Sequence, residues 1–134
     1  MRSAMIPAAA AMLFATPAVF AQQDDAQAAK ARAVQEHVDA YRSGDLDRFV
    51  STFTADATVV ANGIVASGRQ EIRALYSYNF VPGAPRVEIV ESGMNGDRVY
   101  ITVSYVFEDG GERCCSYSEY TVKGGKIARL ETSG

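Results

Sequence analysis

Apolar residues along this chain recur first with a helical period and then with a period of two. From Ala26 to Arg42, Val34, Val38 and Tyr41 fall at i, i+4 and i+7, with Ala31 one turn earlier. Lys30, Arg32, Glu36 and Asp39 fall largely elsewhere. This spacing predicts an amphipathic helix, closed by Ser43-Gly44 because glycine tolerates the left-handed turn past a helix end. Asp45 stands ready to cap a second, short helix carrying Leu46, Phe49, Val50 and Phe53 and stopping near "TAD". "ATVVA" then reads as a strand ending at the turn pair Asn62-Gly63, and "IVAS" as its return. Ser67 and Gln70 predict a capping box for a third helix, with Ile72, Leu75, Tyr76, Asn79 and Phe80 on one face. The two prolines of "VPGAP" stop it.

Beyond Pro85 the period is two. "RVEIVES" alternates, "GMNGD" turns, and "RVYITVSYVFE" puts Val99, Ile101, Val103, Tyr105 and Phe107 on one face. Tyr100, Thr102, Ser104 and Val106 take the other. After "DGGE", Cys114, Ser116, Ser118, Tyr120 and Val122 are expected on one side, and Cys115, Tyr117, Glu119 and Thr121 opposite. A Gly-Gly hairpin between Lys123 and Lys126 leads into the last strand, "IARLET". Helices followed by a meander of long strands predict an α+β fold, a curved sheet wrapped around helices.

The first 21 residues follow neither pattern. Arg2, the apolar stretch Ala4 to Ala15, the break at Pro17 and the small-residue end "VFA" read as a signal peptide. Val19 and Ala21 fit the −3 and −1 positions. The expectation is therefore a periplasmic or secreted protein starting at Gln22, with a single domain over 22–134. The alternative is an uncleaved anchor, for which the stretch is barely long enough and holds two prolines.

Composition changes this picture in two places. The net charge of −3 and the lack of any Lys/Arg run exclude a phosphate-tracking surface, and with it a nucleic-acid partner. The two cysteines, Cys114 and Cys115, are adjacent, with Cα atoms about 3.8 Å apart across an ordinary peptide. That is short of the usual disulfide separation, so one is expected as a small buried filler and the other on the opposite face. An intermolecular disulfide is the alternative. One histidine and two adjacent cysteines make a poor zinc site, so no metal and no cofactor are expected.

The run "YRSGDLDRFVSTFTADATV" (Tyr41 to Val59), then "SGRQEIRALY" (Ser67 to Tyr76), and the element order across the rest of the chain resemble the NTF2-like superfamily. Within it they resemble the SnoaL-like proteins and ketosteroid isomerases. The resemblance implies a cone: three helices held in a strongly curved, mixed but mostly antiparallel sheet, with a pocket at the wide end. It also implies a homodimer through the convex sheet face. Tyr100, Val106, Cys115 and Tyr117 make that face too apolar to be fully solvated.

By the same resemblance, His37 falls where ketosteroid isomerases carry the tyrosine that donates to the oxyanion. Their catalytic base falls here on Ala61, and the second oxyanion donor on about Ser118. A general acid or base is typically worth 10²–10⁴-fold, so ketosteroid isomerase activity is rejected. What the resemblance leaves is a pocket containing His37 as the candidate acid–base group. Tyr41, Tyr76, Asn79, Tyr105, Ser116, Ser118 and Tyr120 are candidate ligand-binding residues. Two placements of His37 stay open. In the pocket, burial lowers its pKa below about 6.5; at the solvent edge of the helix, beside Glu36, it stays near or above that value. Asp56 is read as closing the turn into the first strand.

Three functions follow. The first is a binding module for a small apolar or aromatic molecule. The second is a SnoaL-like isomerase, cyclase or dehydratase using His37. The third is a dimeric interaction module acting through the convex sheet. Without the carboxylate, binding is favoured over two-step proton transfer.

Overall fold

The computed structural model describes residues 25–134, which open in a helix over residues 25–43 (α1). The expected signal peptide and the start at Gln22 lie outside the described residues. After α1 come α2 (Leu46–Ser51), β1 (Phe53–Ala61), β2 (Ile64–Ser67), α3 (Gly68–Tyr76) and a 3-10 turn over Ser77–Asn79. Four strands follow: β3 (Arg86–Asn95), β4 (Arg98–Val106), β5 (Glu112–Lys123) and β6 (Lys126–Ser133). They form one six-stranded sheet in the order β2-β1-β6-β5-β4-β3. Every pairing is antiparallel except β1 with β6. This is the α+β, NTF2-like arrangement expected, with an open sheet.

The chain's local chemistry explains where the elements stop. Gly44 turns out of α1 at φ +74°, and Asp45 caps α2 by accepting from the Arg48 N–H at 3.1 Å. Asn62 and Gly63 both take positive φ in the β1–β2 turn, as a two-residue hairpin of this kind requires. Arg42 donates from Nε to the Val87 carbonyl at 3.0 Å, which pins the end of α1 to the start of β3. The core is continuous from Val34 and Val38 through Phe49, Phe53 and Ile72 to Val99, Ile101, Ile127 and Leu130.

The sheet bends at breaks in register. Val90 in β3, Cys115 in β5 and Ala128 in β6 are each an extra residue between otherwise regular pairs. Such bulges increase twist and bend the strand that carries them. Their effect here is to fold the sheet over the helices.

Several expectations are corrected. Phe53 begins β1 rather than ending α2, because Thr52 already closes the helix and Phe53 pairs with Ile127. Asp56 lies inside β1, in the irregular stretch between Phe53 and Thr58, and accepts from the Thr54 hydroxyl at 3.0 Å; it closes no turn. Ser67 makes no side-chain cap. Gly68, at φ +82°, redirects the helix start, and the Ser67 N–H is taken by Glu71, not Gln70, at 2.9 Å. The strand β3 runs on through Asn95, so the turn of "GMNGD" is only Gly96-Asp97. The bulge at Cys115 pairs Cys114 with Ser104, while Ser116 pairs with Val103. Cys114 therefore does not share a face with Ser116. Both cysteines are exposed, so neither is a buried filler.

Candidate functional site

Between the helices and the concave sheet face lies a cavity of about 240 Å³. The first helix contributes His37 and Tyr41, one turn apart and therefore on one side. The end of α3 and the turn after it bring Leu75, Tyr76 and Asn79. The sheet contributes Tyr105 from β4, Ser116, Ser118 and Tyr120 from β5, and Thr132 from β6. All eight residues singled out from the sequence meet at this one cavity.

His37 is only 3 % exposed, so the solvent-edge placement is wrong. The buried side of α1 includes Ala33, Val34, His37, Val38 and Ala40, with Tyr41 half-buried. At roughly 100° per residue this is an arc of about 160°, and His37 falls inside it. Ala33 and Ala40, which widen the buried arc on that side, are small and unremarkable in an apolar pattern.

An aromatic cage surrounds the imidazole. Its ring centroid lies 4.8 Å from that of Phe49, and 5.1 Å from those of both Phe53 and Tyr120. Its Nδ1 lies 2.9 Å from the Thr52 hydroxyl. Burial among these rings penalises the imidazolium and lowers the pKa of His37 to about 3. His37 is therefore neutral at physiological pH.

The other polar groups are hydroxyls and amides. Asn79 donates from Nδ2 to the Tyr41 hydroxyl oxygen at 3.0 Å, and Tyr105 and Ser116 hydroxyls bond at 2.8 Å. Ser118 donates to Thr132 at 2.9 Å. Burial, helped by the neighbouring phenols, pushes the Tyr76 and Tyr120 hydroxyls well above their ordinary pKa, and burial raises Tyr41 as well. All stay neutral. No Asp, Glu, Lys or Arg side chain lines the cavity among the described residues. Ala61, at the position of the isomerase base, presents only a methyl group to the wall.

The cavity residues that were not anticipated include Phe49, Asn62 and Thr132. Thr132 was beyond the pattern. The Gly-Gly hairpin pairs Lys123 with Lys126, a register that continues to Ser118 opposite Glu131, and it is the bulge at Ala128 that sets Thr132 opposite Ser118. Among the described residues, no group of three or more His, Cys, Asp or Glu side chains is close enough to hold a metal ion.

The SnoaL-like domain family matches residues 34–130. The chain belongs to the SnoaL-like family. Solved structures agree. A candidate polyketide cyclase from Sinorhizobium meliloti is 27 % identical, with TM-score 0.66, over 75 % of this chain and 93 % of that one. The epoxide hydrolase/cyclase-like enzyme SalBIII of salinomycin pyran-ring formation is 21 % identical, with TM-score 0.66, over 78 % and 88 % of the two chains. A protein with a ketosteroid isomerase-like fold from Catenulispora acidiphila, solved with trimethylamine, is 19 % identical, with TM-score 0.62, over 75 % and 82 %. The last two show the shared fold alone. No curated protein matches the sequence.

Proposed function

We propose that this SnoaL-like protein is exported and binds a small, uncharged, ring-containing molecule in the cavity. One observation carries the reading. The cavity combines apolar walls with four phenols and a neutral imidazole, and among the described residues no charged side chain lines it to meet an ion. Burying an unpaired charge there costs far more than burying a hydrogen-bonded hydroxyl. At about 240 Å³ the space lies below the roughly 300–1,000 Å³ typical of sites for drug-sized ligands. The ligand is therefore small, on the scale of one or two rings.

Calorimetry with a matched pair tests this. At neutral pH, 2-naphthol is expected to bind and 2-naphthoate to bind at least about tenfold more weakly. Equal or tighter binding of the carboxylate would overturn the reading. N-terminal sequencing of exported material is expected to start at Gln22; an intact Met1 would remove the export part alone.

The enzymatic alternative draws support from the likeness to the candidate polyketide cyclase. It ranks second because a base with pKa about 3 is far from the working pH at which proton transfer is most efficient. Among the described residues no carboxylic acid side chain lines the cavity to divide the proton transfers with His37.

A further inference from the structure

The hydrogen bonds around His37 determine which of its nitrogens faces a ligand, and the inference that follows rests on the binding reading and narrows it. Thr52 ends α2, and its hydroxyl donates to the Phe49 carbonyl at 2.6 Å. A threonine hydroxyl has a single hydrogen. With that hydrogen directed at Phe49, the Thr52 oxygen meets Nδ1 of His37, 2.9 Å away, only as an acceptor. Nδ1 therefore carries the ring hydrogen. A neutral imidazole has one N–H, so Nε2 is left as a bare acceptor.

Position assigns that acceptor to the cavity. Thr52 is not among the cavity's lining residues, whereas His37 is. The two ring nitrogens point in widely separated directions, so the edge opposite Thr52 is the one that remains for the cavity. The resemblance to ketosteroid isomerases puts a donor at this position; here the Nε2 edge can only accept.

We infer that the ligand presents a hydroxyl group, as a phenol, enol or ring alcohol, and donates it to Nε2 of His37. The aromatic cage fits this. The rings of Phe49, Phe53 and Tyr120 pack around the imidazole at 4.8 to 5.1 Å and so hold it in place beside Thr52. A ligand lacking the hydroxyl leaves a desolvated acceptor unmet, which weakens binding by about tenfold.

Two measurements test the inference. In the free protein, the ring nitrogen signals of the single histidine are expected to show Nδ1 protonated and Nε2 bare; the reverse tautomer overturns it. In calorimetry, 2-naphthol is expected to bind about tenfold more tightly than 2-methylnaphthalene, which has the same shape without the hydroxyl. Substitution His37→Leu is expected to abolish that preference. Should His37→Leu not fold, Thr52→Val serves instead, since it releases the tautomer and is expected to reduce the preference. Equal binding of the two compounds to the unaltered protein overturns this inference and leaves the binding reading standing. Binding of neither overturns both.

Discussion

Asn79 donates its side-chain amide to the Tyr41 hydroxyl at 3.0 Å, and both residues line two spaces at once. One is the inner cavity. The other is a surface groove formed with Arg42, Phe80, Pro82 and Pro85. This hydrogen bond joins α1 to the turn after α3, where Tyr41 and Asn79 border both the groove and the cavity. Asn79 is exposed, so its loss perturbs the core little. Substitution Asn79→Ala is expected to reduce stability by no more than about 1 kcal/mol. It is expected to raise both the association and dissociation rates of 2-naphthol, read by stopped-flow tyrosine fluorescence. Unchanged rates would place the entrance elsewhere.

The buried imidazole has a pH signature. His37 titrates at about 3 in the folded chain and near 6.5 when unfolded. Between those values the unfolded state binds the extra proton, so stability rises with pH there and is lost as pH falls from 6.5 towards 3. The loss is on the order of a few kcal/mol when complete. Because the chain has one histidine, the fall between pH 6.5 and about 5 precedes most carboxylate protonation. Denaturant titrations at a series of pH values are expected to show this slope, and His37→Gln to flatten it. A slope unaltered by that substitution would show that the imidazole is not buried in its neutral form.

The element order was legible because it rests on a repeating signal, whereas the cavity set needed the family resemblance as well. Alternation put Ser116, Ser118 and Tyr120 on a common face and the helical period put Tyr76 and Asn79 on one, but that these faces enclose a pocket was what the resemblance implied. The burial of His37 was not legible, because a stripe drawn from Val34, Val38 and Tyr41 ignores Ala33 and Ala40. Alanine buries little area and so hardly registers in an apolar pattern, yet it is what lets α1 approach on that side. The bulges were equally silent. Nothing in "RCCSYS" announces that Cys115 is the extra residue, since a strand shows its period but not its register against a neighbour.

Phe49 is the centre of the aromatic cluster. Its ring meets those of His37, Tyr41, Phe53, Tyr76 and Phe80 at centroid separations of 4.8 to 5.5 Å. These rings belong to α1, α2, β1, α3 and the segment after it, so Phe49 couples every helix to the sheet. Phe49→Ala is expected to destabilise the fold by about 3–5 kcal/mol in chemical denaturation, and Phe49→Leu by clearly less. A loss below about 1.5 kcal/mol for the alanine variant would contradict this central role.

The outer face of the sheet carries the last prediction. Tyr100 and Tyr117 stack there with ring centroids 5.8 Å apart and planes 23° from parallel. Gly93 makes room for this arrangement, since a Cβ at its position would lie 2.7 Å from the Tyr100 ring. The Tyr117 hydroxyl donates to Glu119 at 2.7 Å, Arg98 bridges Glu119 and Glu131, and Arg129 pairs with Glu131. The face is therefore less apolar than the strand pattern implied: an aromatic pair bordered by a chain of ion pairs. An aromatic centre with a polar rim is the layout of a protein interface, and the occupant we propose is a second copy of the same chain, related by two-fold symmetry. Sedimentation velocity at low micromolar concentration is expected to show a dimer, and Tyr117→Lys to yield monomers by placing a cation among the rings. Tyr78 is 82 % exposed on the 3-10 turn, away from this face, so Tyr78→Lys is expected to leave the dimer intact. A monomeric unaltered protein would rule the interface out. A dimer that withstands Tyr117→Lys would move it to another surface.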